Sequence, residues 1–286
     1  MAINPDTLLN FPIPEVRQIL TRRDSVFYAL SIGLGHDPMD ERQLDFVDHH
    51  RTLQAMPSMA VVLGHPGFWL GNPATGVDAV RIVHGEQGIE IHKPLPVEGE
   101  IIGTTRVTGL VDKGEGKGAL LYSEKEVRGA DGTLYATTRS TTFLRGDGGF
   151  GGPSGPVKTP HPTPETAPDL VVDLPTRPEQ ALYYRLNGDD NPLHANPAVA
   201  IKAGFPRPIL HGLCTLGVVT HALVRALAGY DASALKSLDL RFSAPVFPGE
   251  TIRTEIWRDG AFRARVLERD VVVVTNGHAE IGGKNG

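Results

Sequence analysis

Two long segments of the chain carry the same alternation of apolar and polar residues. Ile89–Val107 (IEIHKPLPVEGEIIGTTRV) and Leu238–Ile256 (LDLRFSAPVFPGETIRTEI) each read as a strand, a proline-containing turn ending in Gly-Glu, and a second strand. The two-residue period of Ile252, Thr254 and Ile256 continues through Arg263–Ile281 (RARVLERDVVVVTNGHAEI), predicting long antiparallel strands. The period changes in His211–Gly229, where Leu213, Leu216, Val219, Leu223, Val224 and Leu227 recur close to helical spacing. An aromatic pair, Phe27-Tyr28 or Tyr183-Tyr184, opens each half of the chain. Between the halves, Gly146–Ala167 is dense in glycine and proline without apolar periodicity, which predicts a flexible connection; it lacks the Gly-Lys-Ser/Thr ending of a phosphate loop. The expectation is an α+β protein made of two related halves, residues 1–145 and 169–286, joined by a linker at 146–168. Each half should be a helix packed against a curved antiparallel sheet.

The run Tyr183–Leu213 (YYRLNGDDNPLHANPAVAIKAGFPRPILHGL) concentrates the candidate chemistry. Pro192 biases Asn191 away from the helical region and Gly188 permits a tight bend, so Asp189–His194 should form a turn on which an acid, an amide and an imidazole converge. A carboxylate and a neutral imidazole can share one water, with Asn191 orienting it, and general acid–base help of this kind contributes about 10²–10⁴-fold. Taken alone, Asp-Asp-Asn-Pro is equally a good turn and helix start. Its company is what points to chemistry: Gly212 opens the next helix, where free N–H groups and the helix dipole favour an anion.

Composition narrows the field. With 286 residues the chain can bury a large core, and a net charge of −5 argues against a general nucleic-acid surface. The apolar runs are too short for a membrane span, the first residues lack a basic-then-apolar signal pattern, and the ending GGKNG is not a peroxisomal address, so a cytoplasmic location is expected. Cys214 is the single cysteine and sits on the apolar face of the predicted helix, where it reads as a packing residue. The eleven histidines show no H-E-x-x-H spacing, and no metal is expected.

GDDNPLH followed by GFPRPILHGL resembles the signature of the MaoC-like, type 2 (R)-specific enoyl-CoA hydratases. The resemblance covers nearly the whole chain and implies a double hot-dog fold, hydration of trans-2-enoyl-CoA in fatty-acid metabolism, no cofactor beyond the CoA of the substrate, and a homodimer. It implies Asp189 and His194 as catalytic pair, Asn191 as their helper, and the Gly212 N–H as oxyanion donor. His84, Gly85, Lys113 and Phe242, with Asp190, Pro192 and Leu193 of the turn, would bind the ligand, the lysine meeting a CoA phosphate. On composition alone Lys113 and Lys117 are solvated residues of a glycine-rich hairpin turn. The family motif often has serine and an acidic residue where this chain has Asn187 and Asn196, a difference that bears on substrate preference.

In the first half the corresponding stretch is Ser31–Glu41 (SIGLGHDPMDE), where His36 and Asp37 adjoin and lack the catalytic spacing. That half is expected to hold no second site and to leave room for an acyl tail. Hot-dog folds also host thioesterases, and a non-catalytic acyl-CoA-binding subunit is a further alternative.

Overall fold

The computed structural model describes residues 3–282 and contains one antiparallel sheet of ten strands. The strands are β1 (Val16–Leu20), β2 (Ile82–Ile91), β3 (Gly99–Asp112), β4 (Ala119–Gly129), β5 (Leu134–Leu144), β6 (Leu170–Pro175), β7 (Leu235–Phe242), β8 (Thr251–Ile256), β9 (Ala261–Val266) and β10 (Val271–Ile281). Their order is β1-β3-β4-β5-β2-β7-β10-β9-β8-β6, so each half uses the same winding and the two meet where β2 pairs with β7, Glu86 opposite Arg241 through Glu90 opposite Ser237. This is the double hot-dog arrangement expected from the sequence. The two Gly-Glu turns repeat in detail: Gly99 and Gly249 both take positive φ, +129° and +94°, a conformation that side chains disfavour.

Among the described residues six α-helices accompany the sheet: α1 (Pro5–Leu9), α2 (Arg22–Ser31), α3 (Leu44–Val47), α4 (Gln180–Tyr184), α5 (Pro197–Lys202) and α6 (Gly212–Ala228). α6 is the central helix of the second half. Its expected bounds hold to within a residue, and it ends at Gly229 with φ +58°. Cys214, Leu216, Val219, Ala222, Leu223 and Val224 are wholly buried, as a helix that is apolar almost all round must be. Burial of such side chains contributes about 1.5–3 kcal/mol for each leucine or valine.

The helical layer of the first half is reduced. Where α6 would have its counterpart there is only a buried 3₁₀ turn, Pro57–Val61. Pro57 starts it, and Gly64 stops any continuation by crossing β3 backbone to backbone: a Cβ on Gly64 would lie 2.6 Å from the Gly103 Cα. One continuous apolar core nevertheless runs through both halves, from Leu34, Phe46, Met56, Met59 and Leu63 to Leu238, Phe262 and Val274. The paired aromatic signals meet inside it, with Tyr28 of α2 and Tyr184 of α4 at a ring separation of 6.1 Å.

The linker is not the flexible tether that its composition predicts. From β5 it must reach β6 at the far edge, six strand spacings or roughly 29 Å away, which explains its length. It is held along the way. Asp112 accepts from the N–H groups of Gly149 and Gly151, Lys158 pairs with Asp239 at 2.8 Å, and the His161 ring stacks on His278 at 4.3 Å. Asn276 Nδ2 donates to the His161 carbonyl at 2.7 Å, and Trp257 Nε1 donates to Thr166 Oγ1 at 3.1 Å. Glycine and proline shape a strap here, and polar side chains of the sheet fasten it.

Candidate active site

α4 runs into a 3₁₀ turn, Arg185–Asn187, and Gly188 at φ +109° breaks the helical path. The chain then forms the expected turn. Asp189 Oδ1 accepts from the Asn191 N–H at 3.2 Å, Asn191 Oδ1 caps a 3₁₀ turn at Pro192–His194 by accepting from the Leu193 N–H at 3.0 Å, and Asn196 caps α5 in the same way. The first half braces this loop. Ser31, at the end of α2, receives Asn187 Nδ2 on its Oγ and Gln180 Nε2 on its carbonyl, both at 2.9 Å. Asn187 and Asn196, the two departures from the family motif, are thus a bridge and a cap.

Asp189, His194 and His211 bring donor atoms to within 4.8 Å of one another. His194 is buried and its Nδ1 meets the Ile209 carbonyl at 2.8 Å. A carbonyl only accepts, so Nδ1 carries the proton and Nε2 presents a lone pair. Burial holds the His194 pKa below the ordinary histidine value against the opposing pull of Ile209 and Asp189. The His211 ring stacks on His194 at 3.7 Å and 26°, and its Nε2–H donates to the Asp189 carbonyl at 3.1 Å. Burial, then the neighbouring His194, pushes His211 down to about 4.

The helix N-terminus lies directly beside this group. His211 is the N-cap of α6 and its side chain makes no capping bond, so the N–H groups of Gly212 and Leu213 have no intrahelical partner. The Phe242 ring covers Gly212, lying 3.5 Å from where a Cβ would stand, and meets His84 edge-on at 5.1 Å. Gly85 occupies a bulge in β2, between the pairs His84–Thr142 and Glu86–Thr141, which re-aims His84. Of the expected site residues, Asp189, His194, Gly212, Phe242, His84 and Gly85 therefore surround one region.

The others are placed differently. Asn191 is exposed and its amide oxygen is committed to the cap, so only Nδ2 is free to meet a water. Asp190 and Pro192 are exposed and Leu193 is half-buried on the outer side of the turn. Lys113 is exposed at the β3–β4 turn, three strand spacings or roughly 14 Å from β2 at the end of the sheet where His84 lies. His36 and Asp37 are exposed in a turn of the first half.

Three residues escaped the sequence reading. His211 stood in the His-Gly step but was read only for its glycine. Tyr184, whose ring lies 5.1 Å from His211, was read only as a sign of duplication. His65 comes from the first half within electrostatic reach of Asp189 and His84; burial among protein atoms pushes it down to about 4, although its ring remains open to water. No spacing rule could have found it.

The three ligand atoms lie close enough together to hold a metal ion as well as to handle protons, with the two imidazoles stacked at an interplanar angle of 26°. Two surface cavities, about 390 Å³ beside β6 and α6 and about 210 Å³ over β2, β4 and β5, are lined by other residues.

Fold and site together define a hot-dog protein with an imidazole–carboxylate pair at the mouth of a buried helix. The chain belongs to the MaoC-like hydratase 2 family: the MaoC-like domain matches residues 159–281 and the N-terminal domain of the MFE-2 hydratase 2 matches residues 19–146. It is 40% identical to the peroxisomal enoyl-CoA hydratase 2 of Arabidopsis thaliana over 98% of this chain and 96% of that protein. It is 42% identical to 3-hydroxyacyl-thioester dehydratase Y of Mycobacterium tuberculosis, over 92% of this chain and 90% of that protein. The crystal structure of a MaoC-like dehydratase from Phytophthora capsici superposes with a TM-score of 0.85 at 33% identity, covering 99% of both chains.

Proposed function

We propose that the chain is an (R)-specific 2-enoyl-CoA hydratase, a hydro-lyase that reversibly adds water to trans-2-enoyl-CoA and yields (3R)-hydroxyacyl-CoA. The observation that carries this is the His194 tautomer. With Nδ1–H directed to Ile209, the lone pair of Nε2 is left beside the Asp189 carboxylate and the first N–H groups of α6. A water between Asp189 and His194 gives its oxygen to C3 while one proton passes to the pair. The pair returns one proton to C2 on the same face and ends as it began. Negative charge that builds on the thioester oxygen meets the Gly212 N–H, an interaction of roughly 2.7–4 kcal/mol where single oxyanion donors have been removed. Addition to the double bond needs no covalent nucleophile. Cys214 fits none, being buried with its thiol pKa pushed up by burial.

Crotonyl-CoA and a longer enoyl-CoA should lose their conjugated absorbance with no release of free thiol, and chiral analysis should give the (3R) product. Thiol release would make the chain a thioesterase, and a (3S) product would remove it from this class of hydratase.

The CoA moiety is assigned to His84, Gly85, Phe242 and Lys113, and the acyl tail to the first half, where Met56 and Met59 pack in place of a central helix and are adaptable enough to yield. Lys113→Glu should raise KM more than it lowers kcat, with the penalty shrinking at high salt; an unchanged KM would make Lys113 an ordinary turn lysine. No described helix is long and apolar enough to cross a membrane. We take the working form to be a cytoplasmic homodimer, which light scattering and cell fractionation test.

A further inference from the structure

We propose that the His211 side chain is a positioning residue for hydration, holding the Asp189 backbone and the His194 ring in register with the helix N-terminus and keeping water off one face of His194. The inference rests on the reading that His194 handles a proton. Three contacts support it. The two imidazoles overlap at 3.7 Å with planes 26° apart, the His211 Nε2–H holds the Asp189 carbonyl at 3.1 Å, and the His211 backbone is the N-cap of α6, one residue from the proposed oxyanion donor. Tyr184 backs the ring at 5.1 Å. One residue therefore links all three parts, its side chain meeting Asp189 and His194 and its backbone opening α6.

His211 suits this role because it stays neutral. The ionisable groups acting on it are His194, Asp189 and Arg185, with Tyr184 behind. Its Nδ1 is buried and has no hydrogen-bond partner, so a second proton would place an unpaired donor beside another imidazole. Burial and the neighbouring imidazole both oppose a charge on it. Where burial is what lowers the His194 pKa, the ring that supplies part of that burial helps to set the acid limb of activity.

Two variants separate covering from hydrogen bonding. His211→Phe keeps a flat ring over His194 but loses the donor to Asp189; kcat should fall about 3- to 10-fold, as for loss of one ordinary hydrogen bond, with KM and the acid limb of kcat unchanged. His211→Ala admits water as well; kcat should fall about 10²-fold, as for a displaced reacting group, and the acid limb should move up toward the ordinary histidine value of about 6.5. Should the alanine variant fail to fold, His211→Gln, which keeps a donor but no ring, carries the same expected shift. An acid limb that stays in place when the ring is removed, or kcat within about twofold of the parent in the phenylalanine and ring-less variants alike, overturns the proposal. Full activity in His194→Ala would instead remove the reading on which it stands.

Discussion

At position 194 burial and hydrogen bonding pull in opposite directions, and burial is the stronger. The ring is therefore neutral and its tautomer fixed before substrate arrives, which is the state a general base needs at neutral pH. Asp189→Ala and His194→Ala should each lower kcat by about 10²–10⁴-fold while leaving the fold and thioester binding intact; near-normal turnover in either would sink the assignment. The same neutrality has a cost in acid. His211 and His221 are held down to about 4 by burial, while unfolded histidine titrates near 6.5. A folded pKa below the unfolded one means that the unfolded chain binds more protons between the two values, so stability is fully present above about 6.5 and is lost as pH falls toward about 4. Urea midpoints measured from about pH 7.5 down to about pH 5 should decline steadily below about 6.5, and a flat profile would contradict this account.

Among the elements, the 3₁₀ turn Pro57–Val61 has the most unusual support. Lys125 of β4 is buried and its Nζ donates to the carbonyls of Ala60, Val61 and Leu63 at 3.0, 2.9 and 2.6 Å. Those are the carbonyls that a longer helix would have satisfied with its own next turn. Burial pushes the ammonium down to about 7, yet three bonds to three carbonyls use three N–H protons, which only the charged form supplies. Lys125→Met preserves the stem and strands all three acceptors. At about 1–3 kcal/mol for each buried unsatisfied group, it should lower stability by several kcal/mol, whereas the exposed Lys117→Met should change it little. A Lys125→Met protein melting with the parent would show that the turn is satisfied by other means.

For the molecule as a whole, one sheet and one shared core make the halves interdependent, while among the described residues the Asp189, His194 and His211 cluster belongs to the second half alone. The first contributes Ser31 to brace the loop, His84 and Gly85 from a bulge of β2 beside Phe242, and a shortened helical layer. A tight-binding hydroxyacyl-CoA analogue should therefore titrate to one site per chain, and long or bulky enoyl-CoA esters should be accepted at least as well as crotonyl-CoA, since apolar burial contributes about 0.8 kcal/mol per CH₂. Two sites per chain, or strict confinement to four-carbon substrates, would overturn this division of labour.

Local patterns in the chain already determined the strands around 89–107 and 238–281, the helix at 212–228, the turn at 189–194 and the duplication itself. Each depends on neighbours within a few residues: a two-residue or helical period, a glycine at positive φ, a proline that ends a helix. The sequence also placed Asp189 and His194 in one turn, which is why the proposed pair could be picked out before the fold was in place. Tertiary structure decided what long-range contact controls. The Ile209 carbonyl chooses the His194 tautomer, Ser31 reaches Asn187 across 156 positions, and polar residues of β7 and β10 turn a Gly/Pro-rich segment from a tether into a fastened strap. The first half lost its central helix where Gly64 meets Gly103, a backbone crossing that is invisible until β3 is in place. Periodicity reports which face of an element is covered, and only packing reports what covers it.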